Sequence, residues 1–301
     1  MAMGEFLLLS PLPGWRGNEQ DIAEGIRIRK LTTPERSSLD AAATVLRHHD
    51  VEEAACDAYW IAYPFDNPHP ADNVRYRRRQ EAALKLMAHA QYAIQILAPV
   101  GAPNVYLLYQ ETAGGLALET TQQRPPYLPS IWGGLAAVPA EFAPCIPAVL
   151  AQVRQVFQRP ILRLQIPIWL LEQGLGAPDR HIRILLWATG LDGLTRSGGV
   201  VNFDERVCEL IGCDSFVFPH AEGYCRPEYR VKDVAHDLYQ LRTEMAHGLP
   251  FHVKFRETRG LSQEFPGWRY DQVLEECAVF LLCAALRQTL LAASIADKTT
   301  E

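Results

Sequence analysis

The segment best equipped for chemistry is YRVKDVAHDLYQLRTEMAHGLPF, residues 229–251. It carries Arg242, then four residues, then His247 and Gly248. A guanidinium stabilises charge that gathers on phosphoryl oxygens. An imidazole titrates near neutrality and can move the proton of a ribose 2′-OH or of a leaving 5′-oxygen. The two types together suit phosphodiester cleavage, and no metal is needed when the 2′-OH is the nucleophile. Tyr239, one helical turn before Arg242, and Thr243, beside it, are the nearest hydroxyls. Downstream, His252, Lys254, Arg256 and Arg259 face only Glu257 in charge. Such a run can track a phosphate backbone, and it can equally be an ordinary charged loop.

Spacing alone does not single out this pair. With 24 Arg and 9 His, an Arg followed by a His at this distance arises about twice by chance, and Arg230/His236 is a second instance. Residues i and i+5 of one helix also point about 140° apart. Arg242 and His247 share a pocket only if the helix end loosens or a second chain contributes. Each also has a structural reading. Arg242 can be half of an ion pair that holds helices together, with Asp192 as the candidate partner. His247 can be a plain C-terminal histidine meeting the helix dipole, and Tyr239 can be packing.

The elements that must position these residues are helical. Helices are expected near 147–157, 160–173, 179–194, 204–211, 228–247 and 270–293. Asp179 is placed to cap the third, whose apolar positions include Ile182, Leu185, Leu186 and Leu191. On the 228–247 helix, Val231, Val234, Leu238, Leu241 and Met245 recur at spacings of 3 and 4, which marks a core stripe. Gly248 and Pro250 then end it. Cys277 to Ala296 is the most apolar long segment. Arg287 and Gln288 interrupt it, so it reads as a buried bundle helix rather than a membrane span. Helix-only segments joined by short loops imply a bundle.

The order of these pieces resembles the HEPN family, in particular its Apea-like branch. LYQLRTEMAHG, residues 238–248, is similar to the Y-x-x-R-S-x-x-x-H-G signature that ends a long helix there. ILLWATGLDGL, residues 184–194, resembles the earlier helix, with its tryptophan and A-L-E-x-L run. DERVCELI, residues 204–211, resembles the intervening segment, and residues 270–291 the closing helix. The resemblance covers about residues 145–293. Asp192 stands where the family usually has Glu, Thr243 where many members have Ser, Asn, Asp or His, and Leu249 where one subgroup has a modified Tyr. Asp192 lies near an apolar stripe on a helical wheel, so a buried acid paired with Arg242 is expected. The resemblance implies a metal-independent endoribonuclease with no cofactor. Arg242 and His247 would be catalytic, with Asp192, Thr243 and Tyr239 in support. It further implies a homodimer through the helical half, facing one cleft to RNA, in stress response or phage defence. Inactive family members that bind a protein or nucleotide supply the alternative. The apolar character of residues 182–194 and 277–296 also exceeds what one small bundle must bury, which favours the dimer.

The first half differs. FLLL (6–9), IRIRKL (26–31), YWIAY (59–63), VYLLYQ (105–110) and LALET (116–120) read as strands. In IRIRKL, Ile26, Ile28 and Lys30 fall on one face and Arg27 and Arg29 on the other. TTPERSSLDAAATVL starts a helix, with Thr33 as cap and Pro34 at the first helical position. A longer helix is expected over about 72–97, carrying Arg75, Arg77, Arg78 and Arg79 as a solvated face or, alternatively, a phosphate-binding one. A Pro- and Gly-rich stretch, residues 122–147, is the best boundary signal. The expected architecture is therefore an α+β domain over 1–144 followed by an all-α HEPN-like bundle over 145–301. The first domain is the candidate for sensing a trigger.

Composition restricts the rest. The 301 residues are 48% apolar and 21% charged, which excludes global disorder. A net charge of −6 shows no basic balance that would advertise nucleic-acid binding by the whole chain. Arg outnumbers Lys 24 to 5, as GC-rich bacterial coding would give. No secretory leader is evident, so a cytoplasmic protein is expected. The seven Cys show no C-x2-C pair, so reduced, buried thiols are expected. His48-His49-Asp50, and Cys208, Cys213 and Cys225 with His220, fit no zinc spacing, and no metal site is expected. P-loop, dinucleotide, nucleophile-elbow and zincin motifs are absent.

Overall fold

Strand-type runs near the N-terminus pair into one antiparallel sheet, and the chain after it is mostly helix. The computed structural model describes residues 5–12, 15, 17–23, 25–37, 59–66, 73–98, 105–110, 116–122, 140–159, 162–195, 200–212, 231–247 and 270–298. The strands are β1 (Glu5–Leu12), β2 (Gln20–Ala23), β3 (Ile26–Arg29), β4 (Tyr59–Asp66), β5 (Val105–Gln110) and β6 (Leu116–Gln122). Their order is β2-β3-β4-β1-β5-β6, and every neighbouring pair is antiparallel. The helices are α1 (Asn73–Leu97), α2 (Ile146–Gln158), α3 (Leu162–Gly176), α4 (Arg180–Thr195), α5 (Val200–Ile211), α6 (Val231–Ala246) and α7 (Tyr270–Lys298), with a 3-10 turn over Ala140–Cys145. The short strand β2 carried too little β-branched or aromatic character to stand out in the sequence.

The chain forms two compact units. One comprises residues 1–94, 100–127 and 136–154, and the other residues 95–99, 128–135 and 155–301. The division falls inside α2, about ten residues after the boundary suggested by the Pro/Gly-rich stretch. A helix with an apolar face on both sides of such a point has no compositional break to mark it.

In the sheet unit, β3 alternates as its pattern demands: Ile26 and Ile28 are fully buried, while Arg27 is exposed. Buried Gln91 of α1 donates to Ser10 Oγ of β1 at 2.9 Å, on the strand face that also carries Leu8. The helical turn over 33–37 begins one residue earlier than its sequence suggests. Thr32, not Thr33, is the cap: Arg36 N–H donates to Thr32 O at 2.9 Å, and Thr32 N–H donates to Glu35 Oε2 at 2.8 Å. That is a capping box, and Pro34 is accordingly the second helical residue. Glu35 also takes two bonds from the Arg29 guanidinium, at 2.7 and 2.8 Å. Burial would push the Glu35 carboxyl up; the bonds and charge of Arg29 together with the bonds from Thr32 hold it below its ordinary value. Arg77, Arg78 and Arg79 are exposed along α1.

In the helical unit, α4 is the centre, touching α3, α5, α6 and α7. Asp179 caps it: Ile182 N–H donates to Asp179 Oδ1 at 3.0 Å and holds that carboxyl below its ordinary value. Its buried stripe is Ile184, Trp187, Ala188, Leu191 and Leu194. The expected stripe was displaced, for Ile182 is 47% exposed and Leu185 and Leu186 are only half-buried. An evenly apolar helix does not state its inward face. Arg163 of α3 donates to Leu194 O, capping the far end of α4. Buried Glu275 of α7 holds Arg180 at 2.7 Å and also holds Arg183.

Helix α7 is buried from Leu274 through Cys283 without a break, and again at Ala285, Leu286 and Leu290. The apolar length of α7 over these residues is thus covered inside one chain, so it gives no ground for a dimer. Arg287 of α7 donates to the carbonyls of Ile96 and Leu97 that end α1. Among the described residues, no helix is long and apolar enough to cross a membrane. Cys145, Cys208, Cys277 and Cys283 are free thiols, and burial pushes Cys283 up to about 12.

Two outcomes follow. A Cβ on Gly174 would sit 2.1 Å from Nε1 of the fully buried Trp187, whose N–H donates to Leu171 O. Helix propensity favours Gly174→Ala by about 1 kcal/mol, but overpacking a buried ring costs about 1–3 kcal/mol. Urea denaturation should show net destabilisation; a more stable variant would refute this packing. In the sheet unit, burial first, then Lys85 and Arg154, lower His89 from 6.5 to about 4. The unfolded chain therefore binds the extra proton between those values, and stability present above about pH 6.5 is lost as pH falls toward 4. His89→Gln should flatten that slope by up to about one proton, read from denaturation at stepped pH.

Candidate functional site

Helix α6 forms because its apolar residues make a continuous inward stripe: Val231, Val234, Ala235, Leu238 and Leu241 are buried. Met245, expected on that stripe, is only half-buried. Packing against α4 and α5 leaves Tyr239, Arg242 and Thr243 on the flank.

Arg242 Nη1 lies 2.6 Å from Asp192 Oδ2 of α4. The N–H directions of Nη1 miss the oxygen, so this is a close charge pair rather than an aligned hydrogen bond. The Arg242 guanidinium also stands 5.3 Å from the centroid of the Tyr239 ring, within cation–π range. Tyr239 in turn packs on Phe203 of α5, with ring centroids 5.2 Å apart. The three helices α4, α5 and α6 thus meet at one guanidinium. Asp192 is not the deeply buried acid that the helical wheel suggested. The two side chains are 26% and 20% exposed, because Asp192 flanks the true stripe of α4. Water reaches the pair, so part of its attraction is screened.

Thr243 donates from Oγ1 to Tyr239 O at 2.9 Å, so its hydroxyl hydrogen is spent on the helix backbone. His247 is exposed, and its N–H still bonds Thr243 O at 3.1 Å and Glu244 O at 3.2 Å. The helix end therefore stays wound to His247. Loosening does not swing that imidazole toward Arg242, and the angle of about 140° between them persists. Among the described residues, the His247 side chain makes no hydrogen bond or ion pair. The structure brings together Asp192, Arg242, Tyr239 and Thr243, and leaves His247 apart. His252, Lys254, Arg256 and Arg259 lie outside the described residues, as do Gly248, Arg230, His48 and His220.

Two features were passed over in the sequence. His236, noted in the sequence only for its distance from Arg230, is half-buried. Its Nε2 is 2.6 Å from Gln240 Nε2, and its Nδ1 is 3.8 Å from Asp204 Oδ2. The i,i+4 spacing of His236 and Gln240 was the available signal. Phe203, buried against Tyr239, had no signal beyond its place one residue before Asp204. Among the described residues, no group of three or more His, Cys, Asp or Glu is arranged to hold a metal ion.

Comparison of the chain with protein-family models, curated proteins and solved structures finds no match.

Because water reaches the pair, losing one partner should cost less than the 3–5 kcal/mol typical of a fully buried pair. Asp192→Ala is expected to lower stability by about 1–2 kcal/mol, and Asp192→Asn by less. A double-mutant cycle with Arg242→Ala checks the assignment, and zero coupling would show that the pair holds nothing together.

Proposed function

We propose that this chain is a metal-independent endoribonuclease of HEPN type. It would act as a cytoplasmic homodimer in stress response or defence against phage. The observation that carries the reading is the Arg242 guanidinium, held between Asp192 and Tyr239 with a quarter of its side chain still open to solvent. A carboxylate and a ring fix its orientation, and the open edge is left for a phosphate.

The resemblance of residues 145–293 to the HEPN order supplies the remaining parts. A second copy supplies a His247 that need not lie on the same helix as the Arg242 it works with, which removes the angular conflict. It would also cover exposed Ile166, Trp169 and Ile182. In the proposed step the ribose 2′-OH attacks its own phosphorus. One His247 takes the 2′-OH proton, and Arg242 balances charge on the phosphoryl oxygens. The 5′-oxygen leaves with a proton from the second copy's His247. A 2′,3′-cyclic phosphate and a 5′-hydroxyl result. His252, Lys254, Arg256 and Arg259 are the proposed contacts to the RNA backbone.

A second reading is a HEPN-like module that binds a protein or nucleotide without cleaving RNA. One observation favours it: Asp192 already balances the charge of Arg242, as in a purely structural pair.

Incubation of the purified protein with total RNA, with and without EDTA, separates the two. Cleavage should survive EDTA and leave 5′-hydroxyl ends, and a DNA analogue should resist. Arg242→Ala and His247→Ala should each lose roughly two to four powers of ten in rate. Light scattering should show a dimer at micromolar concentration. Unchanged cleavage by His247→Ala, or 5′-phosphate ends, would overturn the mechanism. No cleavage by the wild type would leave the binding module.

A further inference from the structure

Helix 33–37 stands beside one face of the sheet and leaves a cavity of about 410 Å³ against β1, β3 and β4. The volume lies in the range of small-ligand pockets. Register places Arg27 opposite Ala62, and Leu7 opposite Pro64. Alternation along the strands then puts Arg27, Arg29, Leu7, Ala62, Pro64 and Asp66 on the same face. Leu7, Ala62 and Pro64 make an apolar floor. The Arg29–Glu35 pair is one wall and is internally neutral, with both Nη groups of Arg29 engaged.

Two charged groups of the lining keep polar atoms that hold no partner among the described residues. Arg27 touches Asp21 through Nε at 2.6 Å, and among the described residues its Nη groups hold no partner. Asp66 accepts Arg79 Nη1 on its backbone carbonyl at 3.0 Å, and its carboxylate holds no partner among the same residues. Arg27 stands level with Ala62 and Asp66 is four residues further along β4, so the two lie about 13 Å apart along the strand. The cavity therefore presents the open Nη edge of the Arg27 guanidinium at one end, the Asp66 carboxylate at the other and an apolar floor between them.

We infer that this cavity binds a short extended peptide with free ends, about three residues long, its carboxylate on Arg27 and its ammonium on Asp66. An extended tripeptide spans about 10 Å, which the two side chains bridge at the ends. A nucleotide would meet Asp66 with like charge and lay a polar ribose on the apolar floor. A polyamine would meet Arg27 with like charge. The site lies wholly in the sheet unit and stands whether or not the helical unit cleaves RNA.

Titration calorimetry of the full chain with zwitterionic trialanine and trileucine tests the inference, with N-acetylated and C-amidated forms and AMP as controls. The free tripeptides should bind, and blocking either end should weaken binding at least tenfold. Arg27→Glu and Asp66→Arg are both exposed positions, and each should weaken binding similarly. The double variant Arg27→Glu/Asp66→Arg should restore it, because the peptide can reverse. Blocked peptides that bind as well as free ones, a preference for AMP, no tripeptide binding at millimolar concentration, or no restoration in the double variant would each overturn the assignment.

Discussion

The close fit of α4 among its neighbours is the constraint on which the helical unit depends. Trp187 fills the space against α3, and it does so only because Gly174 offers no side chain there. Gly190 does the same toward α7, where a Cβ would meet the Leu282 side chain at 3.2 Å. Glu275 then fixes α7 to the first turn of α4 through Arg180 and Arg183. A buried carboxylate is tolerable there because two guanidiniums meet it, whereas a single missing partner would leave a charge unmatched in a dry environment. With α4 so enclosed, the position of Asp192 is set, and Asp192 in turn sets Arg242.

The candidate site therefore inherits its geometry from packing. Arg242 is on the flank of α6 because Leu238 and Leu241 must face inward, and Tyr239 lies beneath it because Phe203 of α5 supports the ring. Its polar groups sit at the edge of the core, where water still enters. That placement moderates the strength of the Asp192–Arg242 pair and keeps the guanidinium reachable. His247 follows different rules. It ends the helix, faces solvent and is tied to the site only through the backbone. The sheet unit shows the same contrast: Arg29 is locked by Glu35, while Arg27, two residues earlier on the same strand face, meets Asp21 through Nε and keeps its Nη groups without a partner among the described residues.

Much of this was legible in the sequence, and for identifiable reasons. Ile26 and Ile28 alternate with Arg27 and Arg29, so the strand and its buried face could be read directly. Asp179 three residues before Ile182 announced a helix start, and the 3,4-spacing of Val231, Val234, Leu238 and Leu241 announced an inward face. The Asp192–Arg242 pair was also suggested, since an acid among apolar residues wants a cation. Where the pattern was weak, the reading slipped. Helix α4 is apolar nearly all round, so its wheel gave the wrong stripe and an Asp192 that was too deeply buried. Thr32 and Thr33 are chemically alike, and only Glu35 reaching back decided which one caps. The apolar length of α7 looked like surface for a second copy, although the chain's own helices cover it.

Local periodicity and end signals, written within a few residues of one another, determined by themselves five of the six described strands, the described helices and the order of the two structural classes. Tertiary structure alone decided which side of α4 faces inward, how far water reaches Asp192 and Arg242, that His247 stays apart from both, and that Arg27 and Asp66 bound one cavity. Those outcomes depend on the volume and charge that distant segments bring to the same place: Gly174 against Trp187, Phe203 beneath Tyr239, and Arg27 level with Ala62 on a neighbouring strand. No short window of sequence contains both partners of such a contact, so only the folded chain can state it.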